Sequence, residues 1–243
     1  MMDNSVENRL YRLETRAEVE NIIGTYCHLL FAGEGGQIMD ELWSRSEEVS
    51  IEIGASGRYS TREKVATYYQ KDHIAGKFTL MLPVTPVIET AADGRSARGM
   101  WFVLGLDSDA GDLGTGDPEE RALLTSKTAD GKAYRAECAV WRLGADFIRE
   151  GEQWRILHLH QYDLVRFPCG SDWVRFAEER YATDGIRLDA MFRSNLPFAE
   201  DRAPENLANS PTSYHWQYRV DGRTEKEPKV PKPYETYSEA DRY

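Results

Sequence analysis

The chain's 243 residues, 41% hydrophobic and 29% charged, can form one sizeable core with extensions, which excludes a disordered chain. A formal net charge of -11 without any cluster of Lys and Arg excludes the phosphate-neutralising face of a nucleic-acid binder. No apolar run approaches the roughly 20 residues of a membrane span, and the polar start MMDNSVENRLYRLE is not a secretory signal, so a soluble, cytoplasmic protein is expected.

From Arg12 to Phe31 the apolar residues Leu13, Val19, Ile22, Ile23, Tyr26, Cys27 and Leu30 follow the spacing of an amphipathic helix, which the glycines of AGEGG should stop. A short helix around QIMDELW, a strand VSIEIGA and a turn at SGRYS come next. Ser60 or Thr61 is placed to cap a helix TREKVATYYQK. The pattern then changes to strands. FTLMLPVTPVIET holds two prolines and should be bulged or at an edge. ARGMWFVLGL is apolar enough for a strand buried on both faces. Residues 107–132, rich in Gly, Asp, Ser and Thr, read as a long loop, a mobile lid or a plain insertion. Its DSDAGDLGTGD lacks the spacing of a calcium loop. AYRAECAVWRLGADFIRE and WRILHLHQYDLVRF then complete an antiparallel meander, the second strand closing the sheet.

Two units are expected, a domain over 1–166 and a C-terminal region over 167–243 with a helix near Trp173 to Tyr181. Beyond Ala199 the chain has five of its ten prolines and repeated Tyr, as in PKPYETY. Such a segment buries little by itself and suggests a tail or an arm laid over a neighbouring subunit. Helices followed by a meander make the fold class α+β. Cys27, Cys138 and Cys169 are too far apart in sequence for a zinc or redox motif and should be reduced, largely buried thiols.

The order of helix, short helix, strand, helix and sheet, with LETRAEVENIIGTYCHLLFAGE, EIGASGRYS, TPVIETAADGRSARGMWF and ADFIREGEQWRILHLH, resembles the SnoaL-like branch of the nuclear-transport-factor-2-like superfamily over about residues 10–165. Scytalone dehydratase, bile acid dehydratases and diarylpropane formaldehyde lyases are relatives within it. The resemblance implies a cone of helices on a curved antiparallel sheet, enclosing a cavity for cofactor-free acid/base chemistry on a small apolar substrate. Two departures weaken the simple dehydratase reading. The acid those enzymes place five residues after the helix Tyr is Phe31 here, and their strand His is replaced by Met81, Leu82, Pro83 and Val84.

Tyr26, on the apolar face of the first helix, is a candidate acid or donor, or a core Tyr whose hydroxyl needs a partner. His158 and His160 stand two apart on a strand and share a face. An imidazole titrates near neutrality, so an acid/base role in the cavity is open to both. His28, His73 and His215 supply no third ligand at metal spacing, and no metal is expected. Glu52 lies between Ile51 and Ile53. If those two pack under the helices, Glu52 faces the other way. Tyr59, Trp101, Val103, Tyr134 and Trp141 are candidate substrate contacts, with core packing as the rival for each.

The leading expectation is a cofactor-independent lyase removing formaldehyde or water from a hydroxylated, lignin-derived aromatic through a quinone methide. Its partners would be a small aromatic substrate and further copies of the chain, as a homodimer or homotrimer. An isomerase or cyclase on a polyketide or steroid-like skeleton is one alternative, and a non-catalytic binding or assembly module is another. Enzyme and module are separated by whether Tyr26 and His158 share one enclosed cavity.

Overall fold

The computed structural model describes residues 5–54, 57–69, 77–109, 125–182, 208–214, 216, 218–224 and 227–243. Helix α1, Val6–Ala32, starts where the Ser5 side chain accepts from the Asn8 amide. It ends at Gly33, whose φ of 72° closes the last turn with bonds to the Leu29 and Leu30 carbonyls. Its buried stripe is Thr15, Val19, Ile23, Tyr26 and Cys27. The short α2, Gly35–Gln37, runs into a π-helical turn, Ile38–Leu42, and α3 spans Arg62–Tyr69. Thr61 caps α3, its Oγ1 accepting from the Lys64 amide. Helix α4, Trp173–Ala182, follows the last strand.

Seven strands form one sheet: β1 Ser50–Ile53, β2 Gly57–Ser60, β3 Lys77–Thr90, β4 Ser96–Asp109, β5 Thr125–Lys127, β6 Ala133–Glu150 and β7 Gln153–Pro168. Their order is β2-β1-β7-β6-β4-β3, with β5 on β6. Four expectations change here. GRYS, expected in a turn, is β2. The sheet is mixed, because β1 runs parallel to β7. β7 does not close the sheet but lies inside it, between β1 and β6. The long loop shrinks from both ends as β4 runs to Asp109 and β5 begins at Thr125, and any lid over 110–124 lies outside the described residues. The expected interruption of the proline-bearing strand is a shift of register between Val84 and Val87.

α1 lies across the inner face of the sheet. Between them pack Val19, Ile23, Tyr26, Trp43, Ile51, Tyr59, Trp101, Val103, Trp141, Leu143, Phe147 and Leu159. At about 25 cal/mol per Å² of apolar surface, this face is the main source of the domain's stability. β4 is not buried on both faces as expected. Trp101 and Val103 point inward, whereas Phe102, Leu104 and Leu106 remain 47%, 46% and 37% exposed on the outer face.

The C-terminal stretch covers part of that outer face. Asn209 and Ser210 bond to β2, the Tyr234 and Glu235 carbonyls accept from the Ala92 and Asp93 amides, and the Tyr243 amide donates to Asp146 at 2.9 Å. The described part of the segment expected to be a tail or an arm is laid on its own sheet. Gly144 makes room for it, since a Cβ there would stand 2.7 Å from the Tyr243 ring.

Candidate active site

Two irregularities in β7 decide which side chains meet. Pairing with β6 is regular from Glu150/Gln153 until Phe147 faces Ile156, and then Asp146 faces His158, so Leu157 is an extra residue. Strict alternation from Trp154 through Ile156 would carry His158 and His160 onto the inner face. The extra residue reverses the alternation, as a bulge does, and sends both outward. The second irregularity falls between Trp141/Asp163 and Val140/Val165, with Leu164 the extra residue. It restores the phase and turns Arg166 inward opposite Ala139.

The predicted residues therefore divide between the two faces. Tyr26, Tyr59, Trp101, Val103 and Trp141 are inside, all buried to 5% exposure or less. Glu52, His158, His160 and the half-buried Tyr134 are on the outer face, and the sheet separates Tyr26 from His158, so the shared cavity expected to mark an enzyme is not formed and any active site on the inner face is built without the histidines.

On the outer face Glu52, His158 and His160 are at most 1% exposed, beneath the arm. Glu52 Oε2 accepts from the Ser213 amide at 2.7 Å, the Ser213 hydroxyl at 2.9 Å and the Thr212 hydroxyl at 3.1 Å. His160 Nε2 lies 3.4 Å from the Thr212 hydroxyl and 3.5 Å from Glu52, and its ring stacks on Tyr162 at 3.7 Å. His158 Nδ1 meets the Tyr237 hydroxyl at 3.2 Å and Asp146 at 3.4 Å, while Nε2 meets the Glu48 carbonyl at 3.0 Å. Burial holds His160 down at about 4, with Glu52 pulling the other way. At neutral pH it is therefore a neutral ring. Burial pushes Glu52 up, but His160 and the donors from Ser213 and Thr212 outweigh it and hold it below the usual carboxylate range. These contacts fasten the arm to the sheet.

The inner face changes character along its length. At the end nearest α3 the Trp43 indole donates to Tyr69 at 3.1 Å, and the Tyr69 hydroxyl points at Tyr26 at 3.5 Å. Ring contacts from Tyr26 through Tyr69 and Tyr68 to Tyr59, at 6.3, 5.0 and 5.6 Å, make a row of tyrosines from α1 to β2. At the other end the wall turns polar. Trp141 lies over Gly105, where a Cβ would overlap its ring, and its Nε1 is buried without an acceptor among the described residues. Its partner across the strands is Asp163, whose Oδ1 accepts from Gln161 at 3.0 Å and whose Oδ2 rests on the bare Cα of Gly54. Beyond it Arg166 and Arg135 converge on Glu137 at 3.0 and 3.1 Å. Arg135 also holds Asp107 at 2.9 Å, which accepts from Thr79 at 2.8 Å. Burial acts to lower the Arg166 pKa, but Glu137 and the other carboxylates more than reverse this, so it stays a cation.

Gln161, Asp163, Arg166 and Glu137 were missed in the sequence. The alternation that put His158 and His160 on one face put Leu159, Gln161 and Asp163 on the other. The apolar Leu157 and Leu159 were a signal that this second face belongs to the core. Nothing in the sequence marked Leu164 as an extra residue, so Arg166 had no visible reason to point inward.

Among the described residues, no three His, Cys, Asp or Glu side chains are arranged to hold a metal ion. His73 and His215 lie outside the described residues. A groove of about 340 Å³, lined by Tyr11, Arg12, Asp93 and Arg149, lies at the start of α1, formed by none of the candidate site residues.

No protein-family model matches the sequence. No curated protein matches it. Among solved structures, the chain is similar to a candidate scytalone dehydratase from Novosphingobium aromaticivorans, with 9% identity and a TM-score of 0.50, over 66% of this chain and 91% of that one. The fold is the nuclear-transport-factor-2-like fold. Other similar structures are a type 2 hexachlorocyclohexane dehydrochlorinase, at 14% identity and TM-score 0.48 over 66% of this chain and 92% of that one, and a nuclear transport factor 2-like protein from Salmonella enterica, at 15% and 0.44 over 60% and 89%. The resemblance read from the sequence holds for the fold. No helix among the described residues is long and apolar enough to cross a membrane.

Proposed function

We propose that the protein is a cofactor-independent lyase that acts on a small hydroxylated aromatic at the inner face of the sheet, at Trp141, Asp163 and Arg166, rather than at the histidines. The observation that carries this reading is the buried Trp141 N–H without an acceptor among the described residues, on the same wall as the positioned Asp163 carboxylate. A buried donor left unmade costs about 1–3 kcal/mol, and a substrate oxygen would recover it.

In this reading Asp163 takes the phenolic proton while the Trp141 N–H and the Arg166 guanidinium stabilise the oxygen anion. Electron density pushed through the ring expels a benzylic hydroxyl, which leaves as water with a proton from the tyrosine row. The resulting quinone methide accepts the electron pair of the neighbouring carbon-carbon bond. When the adjacent hydroxymethyl group gives up its O–H proton, that bond breaks and formaldehyde departs. If the substrate has no such group, loss of water is the whole reaction. The second, formaldehyde-releasing step belongs to lignin-derived diarylpropanes. It is favoured over plain dehydration because Phe31 and Met81 to Val84 stand where the dehydratase acid and histidine would be.

Incubation with a panel of hydroxylated aromatic monomers and diarylpropanes, with and without chelator, tests it. The expected outcome is chelator-insensitive loss of water or formaldehyde, seen as conjugated-product absorbance and mass loss. Turnover without any mass change would favour an isomerase, and inertness towards the whole panel would favour a binding module.

A further inference from the structure

Cys138 and Cys169 are 31 residues apart in sequence, yet their sulfur atoms lie 3.5 Å apart. Cys138 faces Phe167 on the outer side of β6, and the Cys169 amide donates to Ala136, so β7 continues past Pro168 just far enough to set the two thiols on a diagonal of the same face. Cys169 is exposed and Cys138 partly so. The expectation of largely buried thiols holds for Cys27 alone, the third cysteine. Closing the gap from van der Waals contact to a bond of about 2.05 Å asks for a small movement, and Cys169 sits in a turn that can supply it.

We propose that Cys138 and Cys169 form an oxidation site that closes to an intramolecular disulfide with peroxide as oxidant. One thiolate attacks the peroxide O–O bond, giving a sulfenic acid and releasing the first water. The second thiolate attacks that sulfur, the S–S bond forms, and the departing hydroxide leaves as the second water. Two thiol protons and two electrons thus pass to the peroxide. Partial burial and the Cys138 thiol push Cys169 up to about 11, so the thiolate is scarce at pH 7 and closure speeds up as pH rises. The bond ties β6 to the turn that leads into α4, next to Glu137, on which Arg135 and Arg166 converge. It therefore restrains the strand end that carries the polar part of the inner face.

The test treats the reduced full-length chain with hydrogen peroxide and follows intact mass, free thiols in denaturant and backbone hydrogen exchange. The expected result is a loss of about 2 Da, a fall from three titratable thiols to one, reversal by reductant and slower exchange over Pro168 to Trp173. Cys27→Ser should close as the native chain does, whereas Cys138→Ser and Cys169→Ser should not. Retention of three thiols, oxygen-addition products alone, or a bridge between two chains would overturn the proposal. A disulfide that formed without changing exchange over 168–173 would overturn the restraint.

Discussion

Trp141 has a buried indole N–H with no acceptor among the described residues. Trp141→Phe keeps the ring over Gly105 and removes the donor. Enzyme assays should show kcat/KM reduced about tenfold, with the melting temperature unchanged or slightly raised, since an unmade donor has gone. A clear loss of stability with normal turnover would instead make the indole structural. His160 sets a pH dependence of the opposite kind. Its pKa is about 4 in the fold against an ordinary 6.5, because burial disfavours the cation more than Glu52 and Asp163 favour it, and Arg242 adds to the cost. The unfolded chain takes up the proton first. The ring's contribution is therefore whole above about pH 6.5 and declines as pH falls towards 4, by about 3 kcal/mol in all. Glu52 is also lowered and adds a loss of the same sign below its ordinary 4.5. Urea unfolding at pH 7.5, 5.5 and 4.5 should show this decline, and His160→Asn should flatten it.

At the scale of elements, the sequence was most legible where one period ran without interruption. The α1 stripe of Val19, Ile23 and Tyr26 had only one way to be buried. The face shared by His158 and His160 was also legible, because two residues apart on a strand settles that much. Which face it was depended on Leu157, and the register of β7 against β6 is a long-range property that local pattern does not contain. Leu164 hid Arg166 in the same way. In SGRYS, Gly57 and Ser60 suggested a turn, but pairing with β1 makes β2 of GRYS. Arg166→Gln should leave the register of β7 unchanged and take from Glu137 one of the two cations that converge on it. Circular dichroism should then show a retained sheet, with turnover reduced by at least about 100-fold. Full activity in that variant would remove Arg166 from the account.

The whole molecule has an outer sheet face divided in two. The arm seals the half that holds Glu52, His158 and Asp146, while Leu82, Val84, Val87, Phe102, Leu104 and Leu106 on β3 and β4 stay 37–49% exposed. A patch of this kind on an edge pair of strands is the surface expected to meet a second copy. Light scattering should then give a mass above one chain, and Phe102→Lys with Leu104→Lys should return it to the monomer. The account's central claim is that chemistry belongs to the inner face and the histidines belong to the arm. Its most direct test is a side-by-side measurement of turnover and melting temperature for Asp163→Asn and for the double variant His158→Asn, His160→Asn. The expected result is turnover reduced at least about 100-fold at unchanged melting temperature in the first, and a lowered melting temperature with turnover largely kept in the second. Loss of turnover with full stability in the histidine variant, and normal turnover in Asp163→Asn, would contradict it.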